Sequence, residues 1–178
     1  GQRKDVDNAM LRGFVEELDK MEPEIREMAR TFLNDSAVRS RLDGVGVLSK
    51  EKAHELGAVG PFLRASGVPY DIRTTGYLAY GDIDFEPVTS DIGDSYARTV
   101  VRINELFQSI DIIRQVVAKI PEGDVAVPVK GFPNGEYMMR VEQPRGEALY
   151  YVKANGTKFL DRLRIRTPTF ANIPPMLE

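Results

Sequence analysis

Tyr137-Met-Met-Arg-Val-Glu-Gln-Pro-Arg-Gly-Glu-Ala-Leu-Tyr-Tyr-Val-Lys-Ala-Asn-Gly-Thr-Lys-Phe-Leu-Asp-Arg-Leu-Arg-Ile-Arg166 is the stretch that decides the fold. Its period is two. Tyr137, Met139 and Val141 alternate with Met138, Arg140 and Glu142, so successive side chains point to opposite faces of a strand. Glu147 to Lys153 reads as a second strand and Lys158 to Arg166 as a third. In the third, Leu163 and Ile165 lie opposite Arg162, Arg164 and Arg166. Asn155-Gly156 between them is a strong hairpin signal, because both residues tolerate positive φ. Three strands in succession make an antiparallel meander.

Upstream the period is close to four. Val6, Met10, Phe14, Leu18, Met21, Ile25, Met28 and Phe32 fall on one face of a helix expected to pack on another helix. Pro23 inside that pattern predicts a kink or a division into two helices. Asn34 to Ser49 reads as a connector with Gly44 and Gly46. Ser49 caps a short helix, Lys50 to Leu56, that Gly57 stops. Asp94 or Ser95 opens a long helix to about Lys119, ended by Pro121-Glu-Gly. Its apolar sector, from Tyr96 and Val100 to Ile113 and Val117, is broad enough to be covered on more than one side. The layout is α+β: long helices plus an antiparallel β-meander. It divides into an N-terminal helical segment (1–57), an irregular segment (58–94), a long helix (95–121) and the meander (122–178).

The irregular segment is dense in Gly, Pro and Tyr but carries Phe62, Leu63, Val68, Ile72, Leu78 and Phe85. A loop of that length with large apolar residues is expected to be ordered and buried against something, such as another part of a fuller protein. Asp82, Asp84 and Glu86 read as a solvated acidic loop. The Arg162, Arg164 and Arg166 face is expected to meet carboxylates in a larger assembly.

Composition narrows the chemistry. The 178 residues carry a net charge of −3, which argues against a nucleic-acid partner. No apolar run reaches the roughly 20 residues that span a bilayer. There is no cysteine and only one histidine, His54, so thiolate metal sites and multi-histidine sites cannot be built from this chain. His54 is expected at the surface of its short helix. No P-loop or dinucleotide fingerprint is present. The chain begins at Gly1 and ends Pro-Pro-Met-Leu-Glu, and both ends read as cut from a longer protein.

One spot stands out. Glu142-Gln-Pro-Arg-Gly-Glu147 interrupts the meander, and Pro144 with Gly146 would present Arg145 from a stiff turn. A second proline turn, Arg166-Thr-Pro-Thr-Phe-Ala-Asn172, follows the third strand. The two turns are expected to bring Arg145 and the Thr169 hydroxyl together as a donor pair for a small anionic or nitrile-like acceptor.

At these residues the chain resembles the large-subunit family shared by nickel–iron (NiFe) hydrogenases and the 49 kDa-type subunit of respiratory complex I. The matching stretches are Gly44-Val-Gly-Val-Leu-Ser, Gly60-Pro-Phe-Leu-Arg-Ala-Ser-Gly-Val-Pro-Tyr-Asp-Ile-Arg73, Gly93-Asp-Ser-Tyr-Ala-Arg-Thr-Val-Val-Arg102, Arg140-Val-Glu-Gln-Pro-Arg-Gly-Glu147, Tyr150-Tyr-Val-Lys, and Arg162 through Pro174. Glu-Gln-Pro-Arg-Gly and the Tyr-Tyr pair look like the membrane-bound, energy-converting (Ech-type, group 4) hydrogenases. Complex I subunits more often read Glu-Ala-Pro-Arg-Gly-Glu.

The resemblance implies an oxidoreductase parent that oxidises dihydrogen or reduces protons reversibly, with a nickel–iron centre whose iron carries CN and CO. It implies that Pro144 and Arg145 lie over the metals, with Arg145 donating to a cyanide. Thr169, after Pro168, would donate likewise. An iron–sulfur small subunit and integral membrane subunits would be the partners, on the cytoplasmic face of the cell membrane. This chain departs from the hydrogenase pattern in lacking both Cys-x-x-Cys pairs, so on its own it binds no metal and is inactive. A quinone-binding electron-transfer subunit of the complex I type is the alternative, and a structural scaffold subunit a third. All three leave apolar surface exposed on the chain alone.

Overall fold

The computed structural model describes residues 5–178. The elements run α1 (Asn8–Asn34), α2 (Ser36–Leu42), α3 (Lys50–Glu55), α4 (Pro61–Arg64), two 3₁₀ turns (Ile72–Thr75 and Leu78–Asp82), and α5 (Ser95–Lys119). Then come β1 (Asn134–Gln143), β2 (Gly146–Asn155), β3 (Leu160–Arg166), α6 (Pro168–Ala171) and α7 (Ile173–Met176). This is the α+β arrangement of long helices and a three-stranded antiparallel sheet, in the order β1-β2-β3.

Capping side chains set the starts of the main helices. The Asp7 carboxylate accepts from the amides of Ala9 and Met10 at the start of α1. Ser49 accepts from Lys52 at the start of α3, and Asp94 from Ala97 at the start of α5. The expected connector after Asn34 holds one more helix, α2. Asp35 ends α1 and accepts from Ala37 and Val38 to open α2, so one residue serves both termini.

α1 runs unbroken through Pro23, contrary to a division there. The helix is fastened to α5 on both sides of the proline. Arg114 of α5 reaches Asp19 and Glu22, and the Tyr96 hydroxyl donates to the carbonyl of Leu33. That docking holds the helix together where one backbone bond is missing. The apolar face of α1 also divides. Leu11, Val15, Leu18, Ile25, Ala29 and Leu33 are half-buried, whereas Met10, Phe14, Met21, Met28 and Phe32 are exposed. A single partner helix covers only one edge of so wide an apolar sector. Exposed apolar surface also marks the sheet, at Tyr137, Met138, Leu163 and Ile165.

The irregular segment is the centre of the molecule. Ala58, Val59, Leu63, Ala65 and Ile72 are buried. The segment packs against Leu48 and Ala53 on one side and Ala97 and Val101 of α5 on the other. This chain's own helices and hairpin cover it, while Leu78, Ile92 and Tyr70 stay exposed. Asp82, Asp84 and Glu86 have exposed side chains, while Gln108, Gln115 and Lys119 of α5 bond the backbone carbonyls of Glu86, Asp84 and Asp82.

Candidate functional site

Gln143 pairs with Gly146, so Pro144 and Arg145 alone form the tip between β1 and β2. Gly146 has φ +125, a backbone conformation that L side chains avoid. Directly beneath it lies Gly60, at φ +66, where the chain enters α4 with Pro61 at the first helical position. The two backbones touch: a Cβ on Gly60 would stand 2.2 Å from the Gly146 Cα. The Asn172 side chain locks the same place, accepting from the Val59 amide at 2.9 Å and donating to the Val59 carbonyl at 3.2 Å. Gly60, Gly146 and Asn172 come from three separate motifs, and together they fix the Arg145 tip on the core.

α4 turns Arg64 inward, where it is 1% exposed. Its Nε and Nη2 donate to Glu105 of α5 at 2.8 and 2.7 Å. Nη2 also reaches Glu142 of β1 at 2.9 Å, and Nη1 the Tyr70 carbonyl at 3.1 Å. Asp71 lies 3.3 Å from Nη1. Arg73 grips the same Asp71 through Nε and Nη2 and extends to Gln108. A charge-assisted network of this kind binds the irregular segment, α5 and β1 to one another.

Burial pushes Glu142 up to about 7, against the pull of Arg64 and with the push of the Asp71 charge. Burial also raises Glu105, again opposed by Arg64. Asp71 is pushed up by burial, but the hydrogen bonds from Arg73 and the charges of Arg64 and Arg73 outweigh it, and it ends below the usual carboxylate range. A second cluster adjoins. Glu147 accepts from the Tyr70 hydroxyl at 2.8 Å and pairs with Arg140 and Arg166 at 3.4 and 3.3 Å. The third-strand arginine expected to seek a carboxylate in a larger assembly thus finds one here.

A cleft of about 570 Å³ opens over the network. Arg64, Arg73, Glu105 and Glu142 form its floor, and Pro144 and Arg145 stand at its rim with Arg102 of α5. Two of the residues expected at the site are therefore in one cleft. The others are not. Pro168 is buried in α6, and Thr169 is exposed and is not part of the lining. Both proline turns are anchored at the Val59–Gly60 backbone, the first through Gly146 and the second through Asn172, but Thr169 faces solvent rather than the cleft. His54 is exposed on α3. The buried floor itself was not expected from the sequence. Its signal was an arginine set among small and apolar residues in Pro61-Phe-Leu-Arg-Ala, which cannot be buried without partners.

Residues 1–132 and 128–178 match the model of the family described as the respiratory-chain NADH dehydrogenase 49 kDa subunit. The chain belongs to this 49 kDa subunit family. Members similar to it include a subunit of the F(420)H(2) dehydrogenase of Methanosarcina mazei, 38% identical over 99% of this chain and 51% of that protein. A carbon monoxide-induced hydrogenase of Rhodospirillum rubrum is 38% identical over 97% of this chain and 48% of its own length. A subunit of the NADH-quinone oxidoreductase of Chloroherpeton thalassium is 36% identical over 97% of this chain and 46% of its own. Among solved structures, a chain of the membrane-bound sulfane sulfur reductase, an archaeal respiratory membrane complex, superposes with a TM-score of 0.87 at 33% identity. That match covers 99% of this chain and 50% of the other. The chain thus spans about half the length of the 49 kDa-family relatives it matches, and these relatives include both a hydrogenase and quinone oxidoreductase subunits.

Proposed function

We propose that this chain forms the part of an oxidoreductase large subunit that walls its catalytic cleft, in a membrane-associated, energy-converting complex of the hydrogenase branch. The observation that carries the reading is the two-residue Pro144-Arg145 tip, locked by Gly60 at the rim of a cleft with a charged, buried floor. A guanidinium carried on a fixed backbone tip at such a rim offers a donor fork to a small anionic group in the cleft. The choice of branch rests on the sequence features Glu142-Gln-Pro-Arg-Gly146 and Tyr150-Tyr151, which look hydrogenase-like. The two features are in contact: the Gln143 side chain donates to the Tyr150 hydroxyl at 3.2 Å.

The parent reaction in this reading is reversible dihydrogen oxidation and proton reduction, with electrons passing to an iron–sulfur small subunit and with integral membrane subunits as further partners. Among the described residues no helix is long and apolar enough to cross a membrane. In this reading the chain sits peripherally, on the cytoplasmic face, held by those membrane subunits. It contains no cysteine and so does not by itself fit a nickel–iron centre, which needs thiolates. Its contribution is the donor, Arg145, and the wall. The expected donor Thr169 would act from outside this cleft.

The quinone alternative also fits the lack of thiolates in this chain, and it is supported by the kinship with quinone oxidoreductase subunits. Metal analysis of the purified parent complex, with hydrogen evolution assayed alongside, separates the two. Stoichiometric nickel and hydrogen evolution are the expected result. A nickel-free complex that reduces quinone would overturn the hydrogenase reading in favour of the alternative.

A further inference from the structure

The floor of the cleft holds one negative charge too many. Asp71, Glu105 and Glu142 have side chains 0%, 15% and 6% exposed, and they face only two buried guanidiniums, Arg64 at 1% and Arg73 at 9%. An uncompensated buried carboxylate is expensive, and the ordinary relief is to take a proton.

The geometry says which carboxylates share it. Asp71 is saturated: both its oxygens accept from Arg73, one of them also takes the Arg73 backbone amide, and Arg64 stands at 3.3 Å. It stays ionised. Glu105 and Glu142 have Arg64 as their one guanidinium hydrogen-bond partner, with the Arg73 charge acting on both from beyond Asp71: Glu105 accepts from Nε and Nη2 at 2.8 and 2.7 Å, and Glu142 from the same Nη2 at 2.9 Å. One guanidinium charge cannot compensate both carboxylates. The adjoining Tyr70–Glu147 cluster carries two arginines, Arg140 and Arg166, on one carboxylate, but both are 46% exposed and their charge is screened by water, and the remaining groups that face the pair do not change the balance. The Tyr77 hydroxyl accepts from the backbone amide of Glu142, not its carboxylate. Tyr80 is engaged with Phe85 and Tyr77. Arg102 and Arg145 lie at the exposed rim, in solvent.

We propose that Glu105 and Glu142, joined through Arg64 on the floor of the cleft, form a buried site that holds one shared proton and exchanges it with the cleft beneath Arg145. The step is a plain acid dissociation. The carboxyl O–H bond breaks, the proton passes to a water in the cleft, and the pair of carboxylates shares Arg64 until it returns. The site stands on this geometry. Its use in turnover rests on the reading of the cleft as catalytic, since a reaction that makes or consumes protons needs an acceptor close to the reacting atoms.

The test is infrared spectroscopy of the intact parent complex, following the C=O stretch of a protonated carboxyl as pH is raised through neutrality. A band that disappears in that range is expected in the wild type. Either Glu142→Gln or Glu105→Gln restores equal numbers of buried charges, so each variant alone should abolish the titration. A band that persists in either variant overturns the shared site. Where a variant does not assemble, the wild type decides, because no carboxyl band titrating near neutral pH also overturns it. The readout is the carboxyl itself, so the result is independent of whether the parent evolves hydrogen or reduces quinone.

Discussion

Gly60 and Gly146 are packed so tightly that a side chain on either meets the backbone of the other. A Cβ on Gly60 falls 2.2 Å from the Gly146 Cα, and one on Gly146 falls 2.9 Å from the Gly60 Cα and N. Both glycines also have positive φ. This contact joins the start of α4, which carries Arg64, to the tip that carries Arg145. Gly60→Ala and Gly146→Ala should each cost several kcal/mol, about 2–4, combining strain with overpacking. Thermal unfolding of the full-length subunit checks this. Gly44→Ala serves as the comparison, because a Cβ there meets nothing within 4 Å and only its φ of +69 is strained.

Arg64 holds three carboxylates. Its replacement by Met leaves Asp71, Glu105 and Glu142 facing Arg73 alone. The expected loss is about 3–5 kcal/mol, the usual result of removing one partner from a buried ionic network. Arg64→Lys keeps the charge but offers no planar fork to reach Glu105, Glu142 and the Tyr70 carbonyl together, so it should recover only part of the loss. Denaturant unfolding of the two variants measures the difference.

Stability should fall as pH rises towards neutral. Glu142 is raised in the folded state from 4.5 to about 7, so the folded chain binds more protons than the unfolded one between those values. Its contribution is complete below pH 4.5 and lost by the time pH passes about 7. The size is about 3 kcal/mol at most. Glu142→Gln should flatten that part of the stability–pH curve and leave the variant no less stable than the wild type above pH 7. A slope unchanged by the substitution would place the titrating group elsewhere.

Asn172 replaces a missing backbone partner. Its amide satisfies both the N–H and the C=O of Val59, and Val59 is buried. Asn172→Ala should cost about 1–3 kcal/mol through two unsatisfied buried groups. Asn172→Asp should be worse than a neutral isostere would suggest, since a carboxylate accepts from the amide but cannot donate to the carbonyl. Thermal unfolding of both variants gives the ordering.

The elements with a clear period were legible in the sequence. The meander announced itself through Tyr137, Met139 and Val141 and through Asn155-Gly156, and Asp94 marked the start of α5. α2 was missed because its start signal, Asp35, also ends α1, and seven residues give little periodicity. The division of the α1 face was not legible, because which edge of a wide apolar sector is covered depends on a partner far along the chain. For the site, Pro144, Arg145 and Gly146 could be read as a stiff tip. The floor beneath could not, because Glu105 and Glu142 lie 41 and 78 residues from Arg64 in sequence, and local spacing carries no trace of such pairings.

The most direct test of the account is Arg145→Lys in the assembled parent complex, with turnover, nickel content and subunit assembly measured on the same sample. Arg145 is exposed at the rim, so folding and metal loading should stay near normal while turnover falls by up to about 10²-fold, because Lys keeps the charge but not the planar donor fork. Unchanged turnover in a fully assembled complex would contradict the account and remove Arg145 from the chemistry.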